Sequence, residues 1–314
     1  MTWQGRHLLG PCLESLHRQT LPGRVLVVDN ASTDGTVEYL AAEHPGVEVL
    51  VSPRNEGFAG GVARALDRID TPYVALLNND ATAEPDWLAA LVAHADAHPD
   101  AGAVTSRMLL ADAAVSTLNN TGVLLLPSGH GADRGLGEPD GAYPDPGEVF
   151  GFSGGAALLR TDAARQVGGM PARFFLYYED TDLSWRLRLA GWTVRYEPAA
   201  VVHHAHSATV DQQSETFAFH NERNRLLTLV RSAPGALAVR AVLRFLVTTG
   251  SLTAKRMLGR PVPDVATFRP SLRLRAFGSF LRLLPWALAS RRAAVRTARV
   301  RPRDVADRWV SRVS

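Results

Sequence analysis

The chain has very little cysteine and lysine, and its apolar stretches are short. Cys12 is the only cysteine, which excludes an internal disulfide and a cysteine-built zinc site and predicts a reducing compartment. Lys255 is the only lysine among 34 basic residues. The apolar stretch 276–290 contains Arg282 and Pro285 and is shorter than the roughly 20 residues of a membrane-spanning helix. The sequence therefore predicts no transmembrane helix.

Acidic residues are scarce in the last quarter of the chain. Residues 1–233 carry 28 acidic residues and 17 arginines, whereas residues 234–314 carry 17 basic residues and three acids. This predicts an acidic globular domain, 1–233, and a basic amphipathic helical region, 234–314, that attracts anions. Nucleic-acid binding is not expected, because the domain is acidic and the basic region lacks interleaved aromatic platforms.

What the sequence does contain is an alternation of helical and strand patterns. Helices are predicted over 6–19, 34–43, 58–68, 85–97, 161–167 and 180–190, and short apolar runs typical of buried strands lie at 25–28, 47–52 and 73–77. The predicted fold is α/β, a mostly parallel Rossmann-like sheet flanked by helices, followed by a C-terminal helical extension. Such sheets bind ligands beyond the carboxyl ends of their strands.

The first strand of this predicted sheet is missing from the sequence. Only five residues precede the first predicted helix, whereas an average strand alone takes about five to six. The first strand of a doubly wound sheet is usually interior, so its absence would leave two neighbouring strands unpaired. We therefore expect either a natural start upstream of Met1 or a truncated chain.

Two loops that follow predicted strands suit a nucleotide. Asp29 ends a strand, where a carboxylate can accept a hydrogen bond from a base or ribose, and residues 30–36 can cap the next helix. A plain capping loop is the alternative, because these are ordinary turn residues. The second loop, 54–61, combines Arg54 with three glycines at a helix N-terminus, which suits a diphosphate, although glycine-rich loops are common.

A third polar group suits a divalent cation. Asp80 follows Asn78 and Asn79 after an apolar strand, where one carboxylate and the substrate phosphates can hold Mg²⁺ or Mn²⁺. The alternative is a solvated aspartate that simply ends a strand. Three histidines within four residues end another short strand and add a possible ligand: His203, His204 and His206.

A fourth group suits proton transfer. Glu179, Asp180 and Asp182 place three acids within four residues, directly after the apolar run 174–178. Like charges and apolar neighbours raise the pKa of a carboxyl group towards that of a useful base. Asp180 is also suited to the first turn of a helix, and capping and catalysis are compatible roles.

The order of these groups resembles that of the inverting family 2 glycosyltransferases with a GT-A fold. The resemblance is strongest to the bacterial rhamnosyl- and galactofuranosyltransferases of cell-wall and O-antigen polysaccharide assembly. It covers roughly residues 2–225 and rests on Asp29, Arg54, Gly57, Asp80, Asp180 and His203, with the segments 151–156 and 220–225.

The resemblance implies a donor site for a nucleoside-diphosphate sugar, formed by Thr2, Asp29, Asn30, Arg54, Gly57, Asn78 and Asn79. In this family Thr2 would end the first strand and border the base, and Asp80 would be the last acid of the metal-binding Asp-x-Asp motif. Asn78 replaces the first acid of that motif, which implies a weaker Mg²⁺ or Mn²⁺ site. His203 matches the metal-binding histidine best, with His204 as the second choice.

The resemblance also implies the acceptor side of the site. Asp180 would be the catalytic base, supported by Glu179 and Asp182, and the acceptor would lie against Gly154, Gly155 and Trp185. The implied reaction transfers a sugar from a dTDP-rhamnose or UDP-sugar donor to a hydroxyl of a glycan or polyprenyl-linked acceptor. The basic region predicts a cytoplasmic protein bound peripherally to the anionic inner face of the plasma membrane, or a basic helix pair that docks another subunit.

Two other functions compete with this interpretation. A sugar nucleotidyltransferase would use a similar domain, but the basic glycine-rich signature expected near its start is not seen. Pyrophosphate release would distinguish it from a glycosyltransferase. A non-catalytic sugar-nucleotide-binding protein is the second, because loss of the first strand would damage the base pocket. Nucleotide binding without turnover would identify it.

Overall fold

The computed structural model describes residues 1–111, 113–205 and 214–310. The strands in these ranges are β1 (Leu26–Asp29), β2 (Glu48–Val51), β3 (Tyr73–Leu77), β4 (Ala81–Ala83), β5 (Ala101–Leu110), β6 (Leu118–Asn120), β7 (Val123–Leu125), β8 (Gly131–Asp133), β9 (Gly147–Glu148), β10 (Ala156–Arg160) and β11 (Thr193–His204). The helices are α1 (Arg6–His17), α2 (Thr36–Glu43), α3 (Gly57–Leu66), α4 (Trp87–Ala97), α5 (Thr161–Gln166), α6 (Glu179–Leu189), α7 (Glu215–Ser232), α8 (Gly235–Met257), α9 (Pro270–Arg296) and α10 (Pro302–Trp309).

The main sheet has the strand order β3-β10-β5-β11-β4, with β6 paired to β5 and β9 to β11. β5 and β11 are parallel, whereas β10 runs antiparallel between β3 and β5, and β4 runs antiparallel to β11. β1 and β2 form a separate parallel pair. The α/β fold with flanking helices and a C-terminal helical region is thus confirmed, and the helix and strand patterns of residues 6–97 fall within a few residues of the observed elements.

The edge of β1 opposite β2 carries a single parallel bridge within the described residues. Thr2 pairs with Asp29 there: the Thr2 N–H donates to Val28 O at 2.9 Å, and the Asn30 N–H donates to Thr2 O at 2.9 Å. This is the position at which the predicted first strand would end. Thr2 therefore lies beside Asp29, and its role at the end of a first strand stays a prediction.

The C-terminal helices pack directly on the α/β part of the chain. Trp185 of α6 belongs to the same buried cluster as Phe245 of α8 and Phe280 of α9. α7 ends at Ser232 and α8 begins at Gly235, so the predicted boundary between 233 and 234 falls in the turn between two helices. The two predicted regions share one hydrophobic core.

α8 differs from the prediction that no helix could span a membrane. Within the described residues it is the one helix whose length and apolar composition alone would allow a crossing. Its inner face packs on protein: Phe245 stacks on Phe277 with ring centroids 5.8 Å apart, and the Arg273 guanidinium lies 4.1 Å from the Phe245 ring centre. The composition of α8 therefore reflects an inner face buried against α9 and an outer face that is also partly apolar.

Candidate active site

Asp180 lies in the first turn of α6 and points towards the loop before β10. Its Oδ2 accepts a hydrogen bond from the Gly154 N–H at 3.0 Å, and its Oδ1 accepts one from the Thr181 N–H at 2.5 Å. Burial raises the pKa of this carboxyl group above its usual value, the two backbone hydrogen bonds oppose the rise, and the charge of Asp133 adds to it. Asp180 therefore has the position and the increased basicity of a proton acceptor.

Glu179 precedes the base candidate and is buried beside it. Its pKa is raised well above the usual value, first by burial and then by the charge of Asp180. Its Oε2 has no hydrogen-bond partner among the described residues. Burial beside another carboxylate disfavours ionisation, so Glu179 holds its proton to a higher pH than an exposed glutamate does.

Two residues predicted for the site lie in the protein interior instead, and both predictions are corrected. Asp182 is fully buried, with Oδ2 2.7 Å from Arg186 Nη2 and 2.5 Å from Arg231 Nη1, so its carboxylate neutralises buried guanidinium groups. Trp185 is also fully buried and meets Phe150 edge to face at 5.3 Å. The helical period explains both, because positions 182 and 185 lie on the face of α6 opposite to Asp180's loop contact.

The histidine beside Asp80 is His204, which corrects the prediction of His203. His204 Nε2 lies 3.2 Å from Asp80 Oδ1, and both side chains are largely buried. His203 lies 2.9 Å from Glu84 Oε1 and is 40% exposed. Successive side chains of β11 point to opposite faces of the sheet, so only one of the two can face Asp80. His206 falls outside the described residues.

The base candidate and the Asp80–His204 pair are joined by short contacts. β10 begins where β3 ends, with Ala156 opposite Leu77, so the loops 78–80 and 153–155 are neighbours. The Asn78 N–H donates to Gly155 O at 2.9 Å, and Asn78 Nδ2 lies 3.3 Å from His204 Nε2. Gly154, next in the chain, holds Asp180. The loop that contains Asn78 and Asp80 therefore lies, at one end of β3 and β10, beside the loop that contacts Asp180.

The loop that follows β1 and begins at Asp29 lies close to the loop of Asn78 and Asn79. Asn79 Nδ2 donates to Thr2 Oγ1 at 3.1 Å, and Thr2 bridges Asp29. Asp29 is fully buried; its Oδ2 accepts from the Ser32 N–H at 3.1 Å, while its Oδ1 has no hydrogen-bond partner among the described residues. Because buried acceptors are nearly always satisfied, this oxygen is suited to a donor group on a bound ligand.

Asn30 and Gly57 have structural roles that were not predicted from the sequence. Both polar atoms of the buried Asn30 amide bond the loop before α3: Nδ2 to Gly57 O at 3.0 Å, and Oδ1 from the Glu56 N–H at 3.1 Å. A Cβ at Gly57, whose φ is +69°, would lie 2.0 Å from Phe175 O. Donor binding by Asn30 and Gly57 stays a prediction, and these contacts give both residues a structural role as well. Arg54 has an 81% exposed side chain, 3.7 Å from Glu56.

The comparison with known families decides which family the chain belongs to. The sequence profile described as Glycosyl transferase family 2 matches residues 2–168, which is more than half of the chain. The chain belongs to this family.

Two curated relatives agree with the family. An N-acetylglucosaminyl-diphospho-decaprenol L-rhamnosyltransferase of Mycobacterium tuberculosis is 32% identical over 222 residues, which cover 63% of this chain and 72% of the relative. A pre-mycofactocin glycosyltransferase of the same organism is 30% identical over 184 residues, covering 58% of this chain and 37% of that protein. The predicted enzyme class, a glycosyltransferase resembling rhamnosyltransferases, is confirmed.

Solved structures share the fold of this glycosyltransferase at low sequence identity. The mannosyltransferase PcManGT from Pyrobaculum calidifontis, in complex with GDP-Man and Mn²⁺, is 20% identical with a TM-score of 0.52 and covers 93% of this chain and 71% of its own. Residues 1–349 of S. aureus TarS in complex with UDP are 16% identical with a TM-score of 0.53 and cover 94% and 87%. The GT-A fold is therefore confirmed.

Three polar residues of the glycosyltransferase site were not predicted from the sequence. Asn119 Oδ1 lies 2.9 Å from His204 Nδ1 and orients that ring. Asp133 raises the pKa of Asp180 through its charge. Asn224 of α7 bonds the loop that leads to Asp180. The signal for Asn224 was the segment 220–225, which the family resemblance included without a role.

Proposed function

We propose that this family 2 glycosyltransferase transfers a sugar from a dTDP-rhamnose or UDP-sugar type donor to an acceptor hydroxyl with inversion at the anomeric carbon. The observation that carries the proposal is Asp180, a carboxylate of raised pKa held against Gly154 at the rim where Asp80 and His204 meet. A one-step displacement requires a base on one side of the sugar and, on the other side, stabilisation of the charge on the leaving diphosphate.

In the proposed step Asp180 removes the proton of the acceptor hydroxyl. The hydroxyl oxygen forms a bond to the anomeric carbon as the bond from that carbon to the diphosphate oxygen breaks, and the nucleoside diphosphate leaves. The Gly154 and Thr181 N–H groups hold both carboxylate oxygens in place, so the base is oriented before the acceptor arrives. The proton remains on Asp180 until product release.

The nucleoside part of the donor is assigned to the end of β1. Asp29 Oδ1 is a buried acceptor that a base or ribose donor can satisfy, and Thr2, which bridges Asp29, is hydrogen-bonded to Asn79. Arg54 is exposed in the loop before α3 and can reach a diphosphate as a positive charge. Asn78, next to Asn79 in the chain, lies 3.3 Å from His204 through its Nδ2.

Asp80 and His204 fit a divalent cation that is completed by the substrate. Within the described parts of the chain, no three histidine, cysteine or acidic side chains come together as a metal site. One carboxylate and one imidazole are sufficient for Mg²⁺ or Mn²⁺ when phosphates supply further oxygens. The cation would neutralise the charge that develops on the diphosphate. The PcManGT structure was determined with Mn²⁺.

The metal assignment predicts different results for the two adjacent histidines. His204→Ala removes the ring beside Asp80, so we expect the Mn²⁺ concentration for half-maximal transfer to rise at least about 10-fold. His203→Ala should leave that concentration within about twofold, because the ion-pair partner of His203 among the described residues is the exposed Glu84. The measurement is a Mn²⁺ titration of initial rate at saturating donor. Equal responses of the two variants would contradict the assignment.

The experiment for the reaction itself is a donor screen. The full chain is incubated with dTDP-rhamnose or a UDP-sugar, Mn²⁺ and a synthetic N-acetylglucosaminyl-diphosphoryl lipid, the acceptor type in the name of the mycobacterial relative. We expect the sugar to appear on the lipid with stoichiometric release of nucleoside diphosphate. Binding of every donor without transfer, or release of pyrophosphate, would contradict the proposed function.

We further propose that the outer face of α8 lies on an anionic membrane surface. Val239, Leu243 and Val247 are 59%, 55% and 71% exposed, and the exposed Arg240 and Arg244 lie between them. Apolar side chains inserted at the headgroup level, with flanking arginines near anionic lipid, are typical of interfacial helices. Each arginine near such a surface contributes about 1 kcal/mol.

This membrane proposal predicts that two acidic substitutions release the protein from vesicles. The double variant Leu243→Glu and Val247→Glu should reduce sedimentation with phosphatidylglycerol vesicles about 10-fold or more, because it places two charges in the interface. The control is Val115→Glu, an apolar side chain 73% exposed on another part of the chain, which should sediment as the native protein does. Equal sedimentation of both variants would contradict the assignment.

A further inference from the structure

The loop before the base candidate is held in an unfavourable backbone conformation. Phe175, Tyr177 and Tyr178 have φ values of 67°, 68° and 69°, although none is a glycine. Side chains with a Cβ avoid this left-handed region, and three such residues within four positions persist only when surrounding contacts hold them. Tyr178 is the residue directly before α6, so the backbone of this loop determines where the helix begins.

One buried side-chain amide lies within hydrogen-bond distance of three carbonyl oxygens of this loop. Asn224 Nδ2 lies 3.0 Å from Phe174 O, 2.8 Å from Leu176 O and 2.8 Å from Tyr177 O. Asn224 is fully buried, and its Oδ1 accepts a hydrogen bond from Arg223 Nε at 2.9 Å, which fixes the orientation of the amide. The carbonyl oxygens of Phe174, Leu176 and Tyr177 therefore share one donor group.

The opposite side of the loop rests on the segment that begins α3. The Ala59 N–H donates to Phe175 O at 3.1 Å, and Gly57 leaves the space that this carbonyl occupies. The loop is thus held between α7 and the start of α3, and only the α7 side supplies a side-chain donor among the described residues. Loss of the Asn224 amide would remove the side-chain donor of Leu176 O and Tyr177 O, whereas Arg223 Nη2 would still donate to Phe174 O.

We propose that Asn224 is a positioning residue for the glycosyl transfer: it keeps the loop 174–178 in its left-handed form and thereby sets Asp180 against Gly154. The inference rests on the proposed role of Asp180 as the base. Asn224 does not touch the reacting atoms. Its effect reaches them through Tyr178 and the first turn of α6, because a displacement of that turn moves the base relative to the acceptor.

The test separates turnover from donor binding. Asn224→Ala should lower kcat about 100-fold, as expected for a base displaced by about 1 Å, while the Kd for dTDP-rhamnose with Mn²⁺ stays within about threefold. Asn221→Ala is the matched control on the same helix, since Asn221 has no hydrogen bond to the loop, and it should retain native kcat. A kcat for Asn224→Ala within twofold of native would overturn the proposal.

A second substitution tests whether the backbone of loop 174–178 causes the expected loss of kcat in Asn224→Ala. Glycine accepts positive φ without a steric penalty, so Tyr177→Gly in the Asn224→Ala background should restore at least a tenth of native kcat. A double variant no faster than Asn224→Ala alone would overturn the proposal. If the alanine variant does not fold, Asn224→Ser with and without Tyr177→Gly gives the same comparison. Absence of transfer by the native protein would instead contradict the proposed function, so the two failures are distinguishable.

Discussion

Asp180→Asn is expected to lower kcat by about 1,000-fold, because general-base catalysis contributes about 10²–10⁴ in rate and the amide cannot take up the acceptor proton. The amide keeps the shape of the carboxylate, and its oxygen can still accept one of the two N–H groups, of Gly154 and Thr181, that bond the carboxylate, so the variant should still fold. The Kd for dTDP-rhamnose, measured by calorimetry with Mn²⁺, should stay within about threefold.

The pH dependence adds a second expectation for the same residue. Burial raises the pKa of Asp180, and only its deprotonated form can act as a base, so native kcat should fall as the pH drops through this raised pKa. The acidic limb of the profile should disappear in Asp180→Asn, whose residual rate does not use that group.

Glu179→Gln is the matched control in the same turn. The raised pKa of Glu179 keeps this group protonated over a wider range, and glutamine mimics the neutral acid. Its kcat should therefore remain within about threefold of native at neutral pH. A native-like kcat for Asp180→Asn, or an equal loss in Glu179→Gln, would remove Asp180 from the role of base.

Asp182→Asn is expected to produce the largest loss of stability. Asp182 is the buried counter-charge of Arg186 and Arg231, and removal of one partner of a buried ion pair costs about 3–5 kcal/mol because uncompensated charge remains. For a chain of this size the thermal midpoint should drop by about 10 °C. Urea unfolding followed by circular dichroism gives the free energy directly.

The control for this prediction is an ion pair at the surface. Asp307→Asn removes the partner of Arg303, 3.5 Å away, where both side chains are more than half exposed, and its unfolding should match that of the native protein. The folded fraction of Asp182→Asn should keep native kcat, because Asp182 faces the interior. An unfolding free energy within about 1 kcal/mol of native would contradict the assigned role.

Much of the fold was predictable because the relevant signals are local. The apolar run 73–77 and the helical pattern over 85–97 correspond closely to β3 and α4. Polar residues at the ends of such strands were expected to converge, and the loop of Asn78 and Asp80 does lie beside the loop of Gly154 and Gly155 that contacts Asp180. The antiparallel insertion of β10 was not predictable, since it depends on pairing between segments about eighty residues apart.

The errors within the site have equally specific causes. His203 and His204 differ only in which face of β11 they occupy, and that face depends on a register that the residues alone do not specify. The burial of Asp182 and Trp185 could have been read from the helical period, which places both with Arg186 and Leu189 on one face of α6. The contacts of Asn224 span about fifty residues and needed the structure.

The most direct test of the central claim is the anomeric configuration of the product. The claim is that one base, Asp180, lies across the donor sugar from the leaving diphosphate, whose charge a cation bound by Asp80 and His204 would neutralise, so that the acceptor attacks once from the side opposite the leaving group. NMR of the product formed from dTDP-rhamnose should show an anomeric configuration opposite to that of the donor. Retention of the donor configuration would contradict the account.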